Sequence, residues 1–154
     1  ELGLRGGTEA VALAVGFARS FELAVTERER VAARVAALRH RLEREIVAAA
    51  AAAGLVGTVI GADTQRAPHV AAFGILGIDR QVLVIAADLE GVCLATGTAC
   101  ASGSPEPPAI LAALGIDHDL QLSVVRASLG ETTTEADITW AVSRMSAVFA
   151  RLRG

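Results

Sequence analysis

The sequence predicts an α+β fold: a small, largely antiparallel sheet covered by helices and preceded by a long N-terminal helical segment. Three features lead there. Apolar residues recur at helical spacing through the N-terminal third of the chain. The β-prone runs in the middle are short and joined by a mixture of tight turns and helices, which fits a mixed layer better than a regularly alternating parallel sheet. The length of 154 residues, 53% of them hydrophobic, supplies a core that needs no disulfide staples.

Taken in order, the glycine-rich turn Gly3-Leu4-Arg5-Gly6-Gly7 leads to Thr8, read as the N-cap of a first helix with the stripe Ala10, Ala14, Phe17, Phe21 and Ala24. Thr26 with Glu29 forms a capping-box signature, so a second, longer helix is expected to open there. Its buried stripe is Val31, Val35, Leu38, Leu42 and Ile46, with Arg34, Arg41, Glu43 and Glu45 among the residues marking its wet side. Gly54 is expected to close it. Residues 55–60 read as a strand, 61–66 as a turn and 69–73 as another strand. Asp79 caps a helix that runs to about Leu89 and stops at Gly91. Residues 92–95 read as a short strand with Cys93 packed in the core. They enter Thr96-Gly97-Thr98-Ala99-Cys100-Ala101-Ser102-Gly103-Ser104-Pro105, a loop of small residues. Pro107 and Pro108 suit the first turn of a helix with the face Ile110, Leu111 and Leu114, ended by Gly115. Residues 122–129 alternate as a strand. Thr134 with Asp137 opens a last helix carrying Ile138, Val142, Met145, Val148 and Leu152.

Composition narrows the function classes. A formal net charge of −3 gives no general electrostatic reason to bind nucleic acid or an anionic membrane, and 3% aromatics supply few stacking platforms for bases. Every one of the 14 residues counted as Lys or Arg is an arginine, so no side chain can serve as a Schiff-base or P-loop lysine. Two cysteines, with no basic and apolar leader ahead of them, argue for a reducing cytoplasmic home rather than a disulfide framework. His40, His69 and His118 are scattered, and no metal centre is expected. The uncharged run 46–62 is mostly Ala and Gly and reads as helix end, turn and strand rather than a membrane span. A first residue of Glu1 rather than methionine reads as a fragment, a processed product or a trimmed piece.

Three places carry candidate chemistry. Cys100 sits between Gly97 and Gly103 just before a helix start, where backbone amides favour a thiolate; its residues leave a reactive and a structural thiol equally open. Arg126 lies in the strand Ser123-Val124-Val125-Arg126-Ala127-Ser128. Its guanidinium fork suits a substrate carboxylate, and the alternative is an arginine on the wet face of the sheet. Arg5-Gly6-Gly7-Thr8 offers amides and a hydroxyl to a phosphate, or is a plain helix cap.

Arg5-Gly6-Gly7-Thr8-Glu9, the block around Ala99-Cys100, Glu106-Pro107, and Val125-Arg126-Ala127-Ser128-Leu129-Gly130 with Thr133-Thr134-Glu135 occur in an order that resembles cysteine desulfurases. These are NifS-like pyridoxal-phosphate enzymes of the class V aminotransferase fold. The resemblance runs from Arg5 to about Met145 and covers the C-terminal portion of such an enzyme. It implies the C-terminal domain of a fold-type I pyridoxal-phosphate protein, with residues 1–25 ending the large-domain or connecting helix and 26–154 forming the small domain. By the same resemblance, Cys100 is the nucleophile that takes sulfur from L-cysteine as a persulfide while alanine leaves. Arg126 is the clamp on the substrate carboxylate. Thr8 reaches the cofactor phosphate of the neighbouring subunit in a homodimer, and Arg5 belongs to the same motif.

The resemblance further implies a sulfur-acceptor protein, a role such as iron–sulfur cluster assembly, and pyridoxal 5′-phosphate in the full-length enzyme, with none expected on this fragment. The chain departs from the family at Thr96 and Thr98, often serine, at Pro108, commonly serine, and at Val70-Ala71-Ala72, where an Asn and a Ser are usual. The alternatives are the small domain of another class V enzyme such as a selenocysteine lyase, and a non-enzymatic persulfide carrier or interaction module.

Overall fold

The computed structural model describes residues 7–97 and 106–153. It opens with a single 42-residue helix, α1 (Val11–Ala52), about 63 Å long at 1.5 Å per residue. The break expected at Thr26 is absent. The Thr26 hydroxyl donates to the Glu22 carbonyl one turn back, at 2.9 Å, so it is satisfied inside the helix instead of capping a new one. Thr8 does not cap either: the helix starts at Val11 behind Ala10 with no side-chain cap bond. At the other end Gly54 takes the left-handed conformation, and the Leu55 amide closes back on the Ala50 carbonyl at 2.9 Å.

Three antiparallel strands follow in the spatial order β1 (Gly57–Val59), β2 (Val70–Ile75) and β3 (Val124–Ser128). The sheet is antiparallel as expected; β1 is shorter and β2 longer than the sequence runs suggested. Between β2 and β3 lie α2 (Arg80–Leu89), α3 (Ala109–Ala113) and α4 (His118–Gln121), and α5 (Glu135–Leu152) ends the chain. Asp79 caps α2 by accepting from the amides of Gln81 and Val82. The short α4 was not foreseen; Asp117 caps it through the Asp119 amide.

One face of the sheet carries the main core. Ala71, Phe73, Ile75 and Val125 meet Val35, Leu38, Leu42 and Ile46 of α1, Leu83 of α2, and Ile138, Met145, Val148 and Phe149 of α5. Each fully buried aliphatic or aromatic side chain there is worth about 1.5–3 kcal/mol of transfer free energy. Phe149 is fully buried, although the sequence stripe passed it over. The opposite face holds a smaller cluster of Ile60, Leu111 and Val124 with Ala72, Ile116 and Leu120, so α3 and α4 cover it. Gly74 makes that approach possible: a Cβ there would come within 2.6 Å of Leu120 Cδ1.

Polar groups tie α1 to the rest. Glu43, expected on the wet side, is buried; its carboxylate accepts from both terminal nitrogens of Arg66, at 2.6 and 3.3 Å, with Arg39 Nε 3.8 Å away. Arg39 also donates to the Ala67 carbonyl at 2.8 Å and to Nε2 of His40. Arg34 donates to the carbonyls of Glu131 and Thr133, and Arg41 to the carboxylates of Glu45 and Glu135. The capping box at α5 is formed, and the Thr134 hydroxyl, then its amide, holds the Asp137 carboxyl below the usual carboxylate range. Among the described residues no helix is long and apolar enough to cross a membrane, and no group of His, Cys, Asp and Glu comes together to hold a metal ion.

Candidate functional site

Arg126 stands in the middle of β3, directly across from Ala72 of β2. On its other side the chain returns at Ala95, whose amide donates to the Arg126 carbonyl at 2.9 Å and whose carbonyl accepts from the Arg126 amide at 2.8 Å. Cross-strand partners share a face of a sheet, so the guanidinium rises between two alanines, on the face that also bears Ala72 and Val124. It is exposed and has no hydrogen bond or ion pair among the described residues. A cation between methyl-sized neighbours, with its fork open to solvent, is ready for a carboxylate in a bidentate contact.

The residues flanking the loop meet beside this arginine. Residue 97 is a glycine at φ +144°, and a Cβ there would come within 2.5 Å of Pro108 Cγ, so Gly97 and Pro108 are packed together. Glu106 is held from α2: the Arg80 guanidinium donates to its carbonyl at 2.6 Å. Arg80 is 3% exposed and was missed in the sequence reading. Its signal was present, because a cation directly after the Asp79 cap opposes the helix dipole.

Cys100 and Arg5 lie outside the described residues. Thr8 is described and exposed, and its side chain makes no bond among the described residues. The structure therefore does not bring Thr8 into contact with Arg126. Cys93 corrects an expectation. Residues 92–95 form no strand beyond the single bridge at Ala95, and Cys93 is an exposed free thiol rather than a core residue. Val92 and Leu94 pack against the core, and alternation along an extended run turns the residue between them outward. His69 and His118 are both exposed. A groove of about 720 Å³ runs between α1 and the β3–α5 connection, lined by Leu23, Val31, His69 and Glu131 among others.

Against the pyridoxal phosphate that the resemblance implies, the described residues offer two separate groups, which the structure does not bring together. Arg126 has an open fork for a substrate carboxylate and Thr8 an unengaged hydroxyl for a phosphate oxygen, but the sequence has no lysine to hold the cofactor as an imine.

The chain is 33% identical over 153 residues to a cysteine desulfurase of Trichormus azollae, covering 99% of this chain and 37% of that protein. It is 34% identical over 153 residues to an IscS-like cysteine desulfurase of Mycobacterium tuberculosis, covering 99% of this chain and 38% of that one. It thus spans little more than a third of the length of these relatives. Among solved structures it superposes on a NifS-like protein with a TM-score of 0.73 at 24% identity, over 97% of this chain and 36% of the other. It also superposes on a NifS-like protein from Rickettsia africae with a TM-score of 0.72 at 21% identity, over 94% of this chain and 36% of the other. Both likenesses show the fold. The family model for class-V aminotransferases matches residues 1–140, and the chain belongs to the aminotransferase class-V family.

Proposed function

We propose that this chain is the C-terminal lobe of a pyridoxal-phosphate-dependent cysteine desulfurase, contributing the sulfur-accepting thiol and the substrate-carboxylate clamp. The observation that carries the reading is the open Arg126 fork, bridged through its own backbone to Ala95 at the base of the Cys100-bearing segment. Cys100 is five positions past Ala95, so the chain reaches no more than about 18 Å from that bridge. The reading assigns the thiol and the clamp to one site.

In the whole enzyme the cofactor supplies the electron withdrawal that opens the substrate's sulfur to attack. This chain's residues do the rest of the work assigned here. Arg126 grips the carboxylate of L-cysteine and orients its sulfur. The Cys100 thiolate forms a sulfur–sulfur bond as the carbon–sulfur bond of the substrate breaks. Sulfur stays on the chain as a persulfide, and the carbon skeleton takes up a proton and leaves as alanine. An acceptor protein then collects the sulfur in the cytoplasm. Residues 1–25 belong with the cofactor-bearing part and 26–154 form the small domain, with Thr8 and Arg5 assigned to the cofactor phosphate of a second subunit.

The test is alanine and persulfide formation from L-cysteine by a protein uniting this chain with its cofactor-bearing part. Cys100→Ser is expected to abolish both products; turnover that survives it overturns the reading. Arg126→Ala is expected to raise KM by about tenfold or more, the worth of a charged hydrogen-bonded contact. By itself, this chain mixed with pyridoxal phosphate and borohydride is expected to give no reduced adduct on a side chain, with the N-terminal amine blocked as a control.

A further inference from the structure

We propose that the cavity between α1 and the turn after β1 is an oxyanion site, suited to a phosphate group. It lies at the β1 edge of the sheet, with β2 between it and the strand that carries Arg126. The cavity measures about 550 Å³ and is lined by His40, Glu43 and Arg44 of α1, Val59 of β1, and Ala62 and Arg66 of the turn. His40 and Arg44 are both exposed and stand four residues apart, so they are neighbours on one face of α1. Arg66 reaches in from the turn. Gly61 leaves room for its stem: the residue sits at φ +67°, and a Cβ there would come within 3.3 Å of Arg66 Cδ.

Charge is unbalanced at this corner. Arg39, 6% exposed, and the part-buried Arg66 share a single carboxylate, that of Glu43. No other described carboxylate pairs with either guanidinium, and Asp63 in the same turn bonds to neither. The Nε of each is buried without a hydrogen-bond acceptor. Buried charges are stable when they are paired and fully hydrogen-bonded, and two cations on one carboxylate leave a positive surplus beside the cavity. Arg44 adds to it at the rim, with no hydrogen bond or ion pair among the described residues. Arg39 donates to Nε2 of His40, which leaves Nδ1 as the donor of that ring. An open guanidinium fork, an imidazole N–H and an uncompensated inner charge thus border one opening. Several acceptor oxygens and a multiple negative charge answer all three at once, which is what a phosphate group offers and a halide does not.

The experiment is titration of this chain with inorganic phosphate, followed by amide NMR shifts and repeated with sodium chloride at matched ionic strength. Phosphate is expected to give one saturable set of shifts at residues 40–47 and 61–66. Chloride is expected to give only small shifts that do not saturate. Arg44→Gln, a change at an exposed side chain without partners, is expected to weaken phosphate binding at least about threefold, and Arg44→Lys to keep most of it. Arg28→Gln removes the same charge from an exposed position more than four turns away on α1 and is expected to leave binding unchanged. Shifts that spread over the whole chain without saturating overturn the proposal, as do equal shifts with chloride. An Arg44→Gln chain that binds like the unmodified one overturns it too. Equal weakening by Arg28→Gln also overturns it, since that marks a response to overall charge rather than a site.

Discussion

The two halves of α1 have the same secondary structure and opposite surroundings. From Val31 to Ala50 the helix lies on the sheet and α5, and Val35, Leu38, Leu42 and Ile46 are buried. From Val11 to Arg30 nothing in the described chain packs along it comparably; Phe17 is 73% exposed and Phe21 62%. Yet the seam does not change: Ala10, Ala14, Phe17, Phe21, Ala24, Arg28, Val31, Val35, Leu38 and Leu42 follow one another at alternating intervals of three and four. A bare stretch of helix this long is marginal in water, and its two i,i+3 ion pairs, Arg19–Glu22 and Arg30–Glu27, contribute only tenths of a kcal/mol each. The difference teaches that an amphipathic stripe announces a partner without naming it. One half found its partner in this chain, and the other half carries the same kind of surface uncovered by the described residues.

The sharpest way to break that comparison is to truncate an aromatic on each side. Phe149→Ala, opposite the buried half, is expected to cost about 3–5 kcal/mol in denaturant unfolding. Phe21→Ala on the bare half, measured at high dilution, is expected to stay within about 0.5 kcal/mol. Equal losses would mean that the N-terminal half is folded onto the body. Next in size is Glu43→Gln. It leaves the buried Arg39 and the part-buried Arg66 without their carboxylate and is expected to cost about 3 kcal/mol, read as a lower denaturation midpoint.

Association tests the bare half directly. A contiguous apolar face of this kind is rarely left unpaired, so two copies are expected to pair through it at micromolar concentration in sedimentation. Phe17→Glu is expected to weaken that pairing at least about tenfold. A monomer at all concentrations would leave the cofactor-bearing part as the remaining cover. A modest effect is expected at the N-cap of α5, a helix that lies wholly on the packed side. Thr134→Ala removes the cap and should cost about 1 kcal/mol, or about 2–4 °C in Tm. Because Thr134 holds the Asp137 carboxyl below its usual range, that carboxylate stabilises the fold at neutral pH and loses its contribution as pH falls through its lowered value. The gap between wild type and Thr134→Ala should therefore narrow in acid.

Local chemistry wrote much of this protein into its sequence. Asp79 and Thr134 cap the helices they were expected to cap, Gly54 and Gly91 stop theirs in left-handed geometry, and the stripe from Val31 to Ile46 is the core face. Each depends on contacts within about one helical turn, which a short window of sequence contains. Arg126 was legible for the same reason, as a charge in the centre of an apolar strand.

Tertiary structure decided what such a window cannot hold. Thr26 had two local uses, a cap or a bond back to Glu22, and continuation of α1 onto the core selected the second. Cys93 lies in a run that sequence alone reads as core, but packing placed Val92 and Leu94 inward and the thiol outward. Glu43 is buried because Arg66, 23 residues away, reaches back to it. Arg80 is buried at the start of α2, where the Glu106 carbonyl, 26 residues on, came within hydrogen-bonding distance. Propensity and capping are energies of neighbours along the chain. The pairing of a buried charge, and the side of an extended run that meets the core, are energies of neighbours in space, and those become defined only once the sheet has assembled between its two helical layers.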